Sequence, residues 1–242
     1  MVWTKLTMKK IVIPVIIVVF GVFAFFGFKV ASNMKSTRQS ADVQTTTSAE
    51  IPLVTQSNYI FIHVNDLTLE KPELVSVWIG FINQSSPSQF MLLPIFPAYN
   101  AEVHDRIIQK FGLNSENKVN QRFMIQLQSS FDFKIDGYIL TDDMGVSYSN
   151  QWLTGTESSV TSMAAVTDSD KHAILLNGQN SWQQFCQLVN TGSANSYFSA
   201  INWTLLLPDH FSTDLDFESL TLLADRIVRA AGQVQCEVLS NE

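Results

Sequence analysis

The sequence predicts an α/β (α+β) sandwich, a mixed central sheet with helices on both faces, preceded by one transmembrane helix. Three observations predict it. An uncharged apolar run occupies residues 11–28, a polar stretch follows it, and the remainder interleaves short β-branched and aromatic runs with segments of helical apolar spacing.

The run IVIPVIIVVFGVFAFFGF at 11–28 is bracketed by Lys10 and Lys29. As a helix it would be roughly 27 Å long, close to the thickness of a bilayer's hydrocarbon core. Pro14, Gly21 and Gly27 would weaken a helix in water but are common in membrane spans. The expected reading is an uncleaved signal anchor, with residues 1–10 as a cytoplasmic tail and the C-terminal domain extracytoplasmic. A cleaved signal peptide is its rival, since Lys9 and Lys10 could form the charged start of one. Residues 29–57 are then a Ser/Thr-rich linker: fourteen of the twenty-six residues in 32–57 are Ser, Thr, Asn or Gln. Such a composition buries too little apolar surface to offset chain entropy, so it is expected to be a flexible tether.

Charge is divided the same way. The 242 residues carry 15 Lys+Arg and 22 Asp+Glu, a net charge of −7, but residues 1–31 hold only cations while 58–242 hold nine basic and twenty acidic side chains. An acidic domain lacks the field that phosphate backbones require, so nucleic acid is excluded as a partner. Two cysteines are too few for a disulfide framework, and 185 residues after position 57 suffice for one domain with its own core.

Within 58–242, the segments 58–64 (NYIFIHV), 74–83 (LVSVWIGFIN) and 89–96 (QFMLLPIF) read as strands, the last two as a hairpin across the Ser-Ser-Pro turn. Residues 101–111 place Val103, Ile107, Ile108 and Phe111 at helical spacing, with Gly112 as the expected C-cap. A second helix is expected over 120–131, a strand over 134–140, and a helix from 142 to 153 capped by Asp142, worth about 1 kcal/mol. Residues 154–170 read as a polar loop. Helical spacing returns at 181–189 and 216–231, and 233–239 (QVQCEVL) alternates as a last strand. No internal repeat is present.

Five of these segments, in order, resemble the LytR-CpsA-Psr (LCP) family, extracytoplasmic domains on a single N-terminal anchor. Residues 74–83 resemble the family strand reading roughly SDTIMLVSIN, and 92–99 (LLPIFPAY) the next strand and its end, roughly LLSIPRDT. Residues 133–145 (FKIDGYILTDDMG) are similar to the family's IDYYVKVDFDG, Leu176-Asn177-Gly178 to its LNG, and 213–224 (TDLDFESLTLLA) to its TDLSLSDLLALA. The resemblance implies cell-wall biogenesis: transfer of glycopolymers from a polyprenyl pyrophosphate to the wall, with a divalent cation and a ring of arginines and aspartates gripping the pyrophosphate. Such a leaving group needs bidentate cations and electrostatic stabilisation.

The chain departs from the family at those residues. The family Asp of the first strand falls on Val75, and Pro-Arg-Asp is replaced by Phe96-Pro97-Ala98. Residues 72–101 contain no Arg, Lys or His and a single acid, Glu73, and no Lys or Arg lies between Lys171 and Arg226. The expectation is a pseudoenzyme of the cell envelope with no catalytic residue and no cofactor, binding a polyprenyl-linked lipid or an envelope protein. Its apolar pocket would be lined by Trp78, Ile79, Phe81, Phe90 and Leu92. The alternative is a divergent LCP transferase with Mg, drawing its cations from Arg106, Arg122, Arg226 or Arg229.

Other chemistry has little support. His63, His104, His172 and His210 lack the spacing that sets two ligands on one helix face, so no metal site is expected. Asp168 and Asp170 read as solvated loop residues. There is no Gly-x-Ser-x-Gly elbow and no glycine-rich phosphate loop. Cys186 and Cys236 could form a disulfide in an exported domain, or stay as two buried thiols.

Overall fold

The structure is a computed structural model that describes residues 56–84, 88–154, 167–194, 201–228 and 234–240. The anchor and nearly all of the linker expected from the sequence lie outside the described residues. Residues 53–242 form one compact unit. Its elements run β1 (Gln56–Val64), β2 (Leu74–Asn83), β3 (Ser88–Phe96), α1 (Ala101–Lys110), α2 (Gln121–Phe131), β4 (Gly137–Thr141), α3 (Asp143–Thr154), α4 (Asp168–Asn190), α5 (Trp203–Leu206), β5 (Phe211–Thr213), α6 (Phe217–Val228) and β6 (Val234–Val238). The strand therefore takes the last two residues of the expected linker, Gln56 and Ser57.

The six strands form one mixed sheet in the order β5-β4-β1-β2-β3-β6. β1, β2 and β3 are an antiparallel meander, with Phe61 opposite Trp78 and Ile82 opposite Phe90. β4 adds parallel to β1, β6 adds parallel to β3, and β5 closes the far edge antiparallel to β4. β2 runs beside the centre and is buried almost throughout, which is why its sequence is a nearly continuous apolar run rather than an alternation.

Side chains alternate across the strands and supply two cores. On one face Ile60, Ile62, Val77, Ile79 and Phe96 meet Ile107 of α1 and Phe123 and Leu127 of α2. On the other, Tyr59, Trp78, Ile82, Phe90 and Leu92 meet Cys186 and Val189 of α4 and Leu223 and Ile227 of α6. The expected sandwich with helices on both faces is the observed one.

Several local expectations need correction. α1 does not end on Gly112. Phe111 takes an extended conformation (φ −65°, ψ 144°), its ring lies 5.2 Å from Phe123, and the Gly112 carbonyl accepts from Asn120 N at 2.9 Å. Packing of Phe111 thus fixes an extended exit where a left-handed turn was expected. Asp168 and Asp170 are not loop residues either. They form the first turn of α4, where Thr167 and Asp170 cap each other reciprocally, a capping box with Asp in place of the usual Glu. That helix runs on through Leu176-Asn177-Gly178 to Asn190, far longer than the 181–189 segment expected. β4 starts at Gly137, three residues later than predicted, since Lys134 and Asp136 are used in a local ion pair and in bonds to Asn58. α5 and β5 were not predicted.

Candidate functional site: an apolar cavity with a polar end

The second face is not closed. Between it and the helices lies a cavity of about 1490 Å³, above the range of roughly 300–1,000 Å³ usual for small-molecule sites. Its floor is Phe61 of β1, Trp78 of β2, Phe90 of β3 and Ile139 of β4. Its walls are Trp152 and Leu153 of α3, Ile174, Trp182 and Phe185 of α4, and Leu220, Leu223 and Ile227 of α6. No Lys, Arg, Asp or Glu is among its described lining residues. The polar ones are His63, Ser76, Thr141, Ser212 and Thr213 of the strands and a few amides and hydroxyls of the helices.

Aromatic rings hold this space in shape. Trp182 packs edge-on against Phe61 at 4.9 Å and against Phe185 at 5.8 Å, and Phe90 stands edge-on to Phe185 at 6.3 Å. Such pairs add about 0.5–1.5 kcal/mol each beyond their burial. Two glycines make room for the rings. A methyl group on Gly178 of α4 would come within 2.8 Å of Trp78, and one on Gly80 of β2 within 2.7 Å of Phe61. A mid-helix glycine costs about 1 kcal/mol relative to Ala; at Gly178 it admits the indole beneath the helix.

Cys186 and Cys236 are joined by a disulfide, tying α4 to β6 across fifty positions. Asn190, one helical turn on, reinforces the same seam. Its side-chain amide donates to the Cys236 carbonyl at 3.0 Å and accepts from the Cys236 N–H at 2.8 Å, much as a neighbouring strand would.

One end of the cavity is polar, at the carboxyl ends of the parallel strands β1 and β4. His63 Nε2 lies 2.8 Å from Asp143 Oδ1, and His210 Nδ1 lies 2.8 Å from Asp142 Oδ2. Asp142, 1% exposed, is held on both oxygens: Oδ1 accepts from Gly145 N at 2.9 Å, and Oδ2 also accepts from Leu67 N at 3.3 Å. The Gly145 bond is the helix cap expected from the sequence. Asp66 nearby is held below the usual carboxylate range by the Thr68 hydroxyl and backbone N–H, with the His210 charge assisting. Among the described residues no three His, Cys, Asp or Glu side chains stand where one metal ion could take them together. The divalent cation of the transferase alternative would therefore find no set of three such donors among the described residues of this corner.

Of the five pocket residues expected from the sequence, Trp78 and Phe90 line the cavity. Ile79 and Phe81 point through the opposite face, Ile79 into the other core and Phe81 edge-on to Phe133 at 6.2 Å. Leu92 shares the face of Phe90 but is fully buried in the packed core and does not reach the cavity. Phe61, Trp182, Phe185 and Ile139 were missed. The strand alternation that pairs Phe61 with Trp78 could have found the first; the others depend on tertiary contacts. Arg106 pairs with Glu102 on the surface, Arg122 is exposed on α2, and Arg226 lines a separate cavity of about 250 Å³. None of the three lines the large cavity, and Arg229 lies outside the described residues.

No family model and no curated protein matches the chain. Several solved structures resemble it in fold. TagV of B. subtilis is 8% identical, with a TM-score of 0.48 over 78% of this chain and 85% of that one. The protein gbs0355 of Streptococcus agalactiae is 10% identical, with a TM-score of 0.44 over 81% and 80%. TagT bound to LIIa-WTA is 7% identical, with a TM-score of 0.41 over 76% and 78%. Each of these TM-scores is below 0.5, and the functional reading of the cavity rests on the chain's own residues.

Proposed function

We propose that this chain is a membrane-anchored, extracytoplasmic LCP-like protein of cell-envelope assembly that binds a polyprenyl-linked intermediate without transforming it. The observation that carries this reading is the cavity of about 1490 Å³ with no charged Lys, Arg, Asp or Glu among its described lining residues. A long hydrocarbon chain gains about 0.8 kcal/mol for each methylene it withdraws from water, and no Lys, Arg, Asp or Glu among the described lining residues must be desolvated to admit it. The segment order shared with the LCP family and the apolar run at 11–28 support the envelope setting. The transferase alternative needs cations around the pyrophosphate, and neither Arg106, Arg122 nor Arg226 is placed to supply them.

The test is a titration of the protein with a polyprenyl phosphate, followed by tryptophan fluorescence, since Trp78, Trp152 and Trp182 all line the cavity. Saturable binding is expected, and Ala224→Phe, which fills part of the cavity from α6, should weaken it at least about tenfold, or some 1.4 kcal/mol. Equal binding by both proteins would place the ligand elsewhere; turnover of a polyprenyl pyrophosphate-linked glycan would restore the transferase reading.

A further inference from the structure

The cavity opens beside a cluster of apolar side chains that have no place in either core. Trp203 and Leu207 line the cavity yet are 42% and 49% exposed, and Phe217, which also lines it, is 85% exposed. A residue that both lines a cavity and faces solvent marks its mouth. Leu205 and Leu222, 44% and 49% exposed, extend the apolar surface along α5 and α6. In α5 two of the three apolar residues, Trp203 and Leu205, face outward and Leu206 alone is buried, the reverse of what helix packing in water selects.

The charge of the segment that carries this mouth is predominantly negative. Residues 201–228 hold Asp209, Asp214, Asp216, Glu218 and Asp225 against the single Arg226. Such a rim does not recruit an anionic surface by electrostatics. The geometry points to docking of the mouth onto a bilayer surface, with Trp203, Leu205 and Phe217 entering the interface so that an apolar ligand passes from lipid to cavity without crossing water. Tryptophan and phenylalanine are the side chains that interfaces favour. The chain before the domain makes a weak docking surface sufficient. The apolar run ends at Phe28, and the twenty-seven residues 29–55 reach at most roughly 90 Å even fully extended. A domain confined to that shell meets the bilayer at an effective concentration that replaces intrinsic affinity. The inference rests on reading the cavity as a lipid site.

The experiment uses the full chain reconstituted in phosphatidylcholine vesicles, with the disulfide intact and one added cysteine carrying an environment-sensitive fluorophore. Leu205→Cys places the label beside the mouth but outside the cavity lining, so filling of the cavity does not bury it. Ile125→Cys, 55% exposed on α2 across the sheet, is the control. At 205 the label should be shielded from iodide and quenched by doxyl-labelled lipid about threefold more than at 125. Adding Trp203→Ser and Phe217→Ser should abolish that difference, and anionic lipid should diminish it at low salt. Equal quenching at 205 and 125 overturns the inference. So does shielding from iodide without quenching by the lipid, because protein then covers the patch, whether a second copy or residues 11–28. Polyprenyl phosphate binding measured on the same labelled chain separates the two readings: binding without docking defeats only the docking surface, and docking without binding defeats the cavity.

Discussion

On one face of the sheet Ile60, Ile62, Val77 and Ile79 are sealed by α1 and α2; on the other, their strand neighbours Phe61 and Trp78 look into open space. Of the twelve largest fully buried side chains among the described residues, ten belong to the first face, and only Phe90 and Leu92 to the second. The difference lies in residue type. β-Branched aliphatics against Phe and Leu from two short helices interlock to interior density. Rigid aromatic rings, supported edge-on by one another and spaced by Gly80 and Gly178, instead hold a vault. The first face is packed shut, and the second encloses the cavity.

The sharpest way to break this contrast is to truncate one ring on each face. Phe123→Ala on the packed face should cost about 3–5 kcal/mol. Phe61→Ala, which enlarges a space that already exists, should cost less than half as much. Urea unfolding of the two variants measures the difference, and equal losses would mean that the two faces are packed alike.

The cavity face should depend instead on its covalent seam. Replacing Cys186 and Cys236 together by Ser releases the end of α4 from β6 and removes a constraint worth up to about 4 kcal/mol in the chain-entropy model. A domain of this size would then melt about 8–15 °C lower. Binding of apolar ligand should weaken with it, since Trp182 and Phe185 stand on the released helix. Thermal scans with and without reductant provide the measurement.

The smallest expected effect is an acid limb belonging to the packed face. His104 stacks on Phe96 at 4.7 Å with its Nδ1 buried and unpartnered. Burial, assisted by the Lys171 charge, pushes the imidazole below its ordinary value. The fold therefore favours neutral His104, and its contribution is complete above about pH 6.5 and lost as pH falls through the lowered value. His104→Phe should keep the stack and flatten the decline of stability below about pH 6.5. A variant with an unchanged pH profile would assign that limb to other groups.

What could be read from the sequence was what local pattern encodes. β2 is so uniformly apolar that its limits, 74–83, match the structure at both ends. Asp142 was legible as a helix cap because the Gly145 N–H it accepts is three residues away; its bond to His210, sixty-eight residues on, was not. Trp78 and Phe90 line the cavity, but Ile79 and Phe81 were included with them because a nearly continuous apolar run hides the alternation that separates its faces. The clearances at Gly80 and Gly178 exist only once strand and helix are assembled. α5 and β5, four and three residues long, are too short to impose a period, and they frame the mouth.

Thermal unfolding in the presence of a polyprenyl phosphate tests the cavity most directly, because a ligand that binds only the folded domain stabilises it by mass action. At a free concentration one hundred times the dissociation constant the gain is about 2.7 kcal/mol. The wild-type midpoint should rise by about 5–10 °C, while Ala224→Phe, with part of the space filled, should show little change. An unshifted wild-type midpoint at saturating lipid, or an equal shift in both proteins, would contradict a lipid-binding cavity.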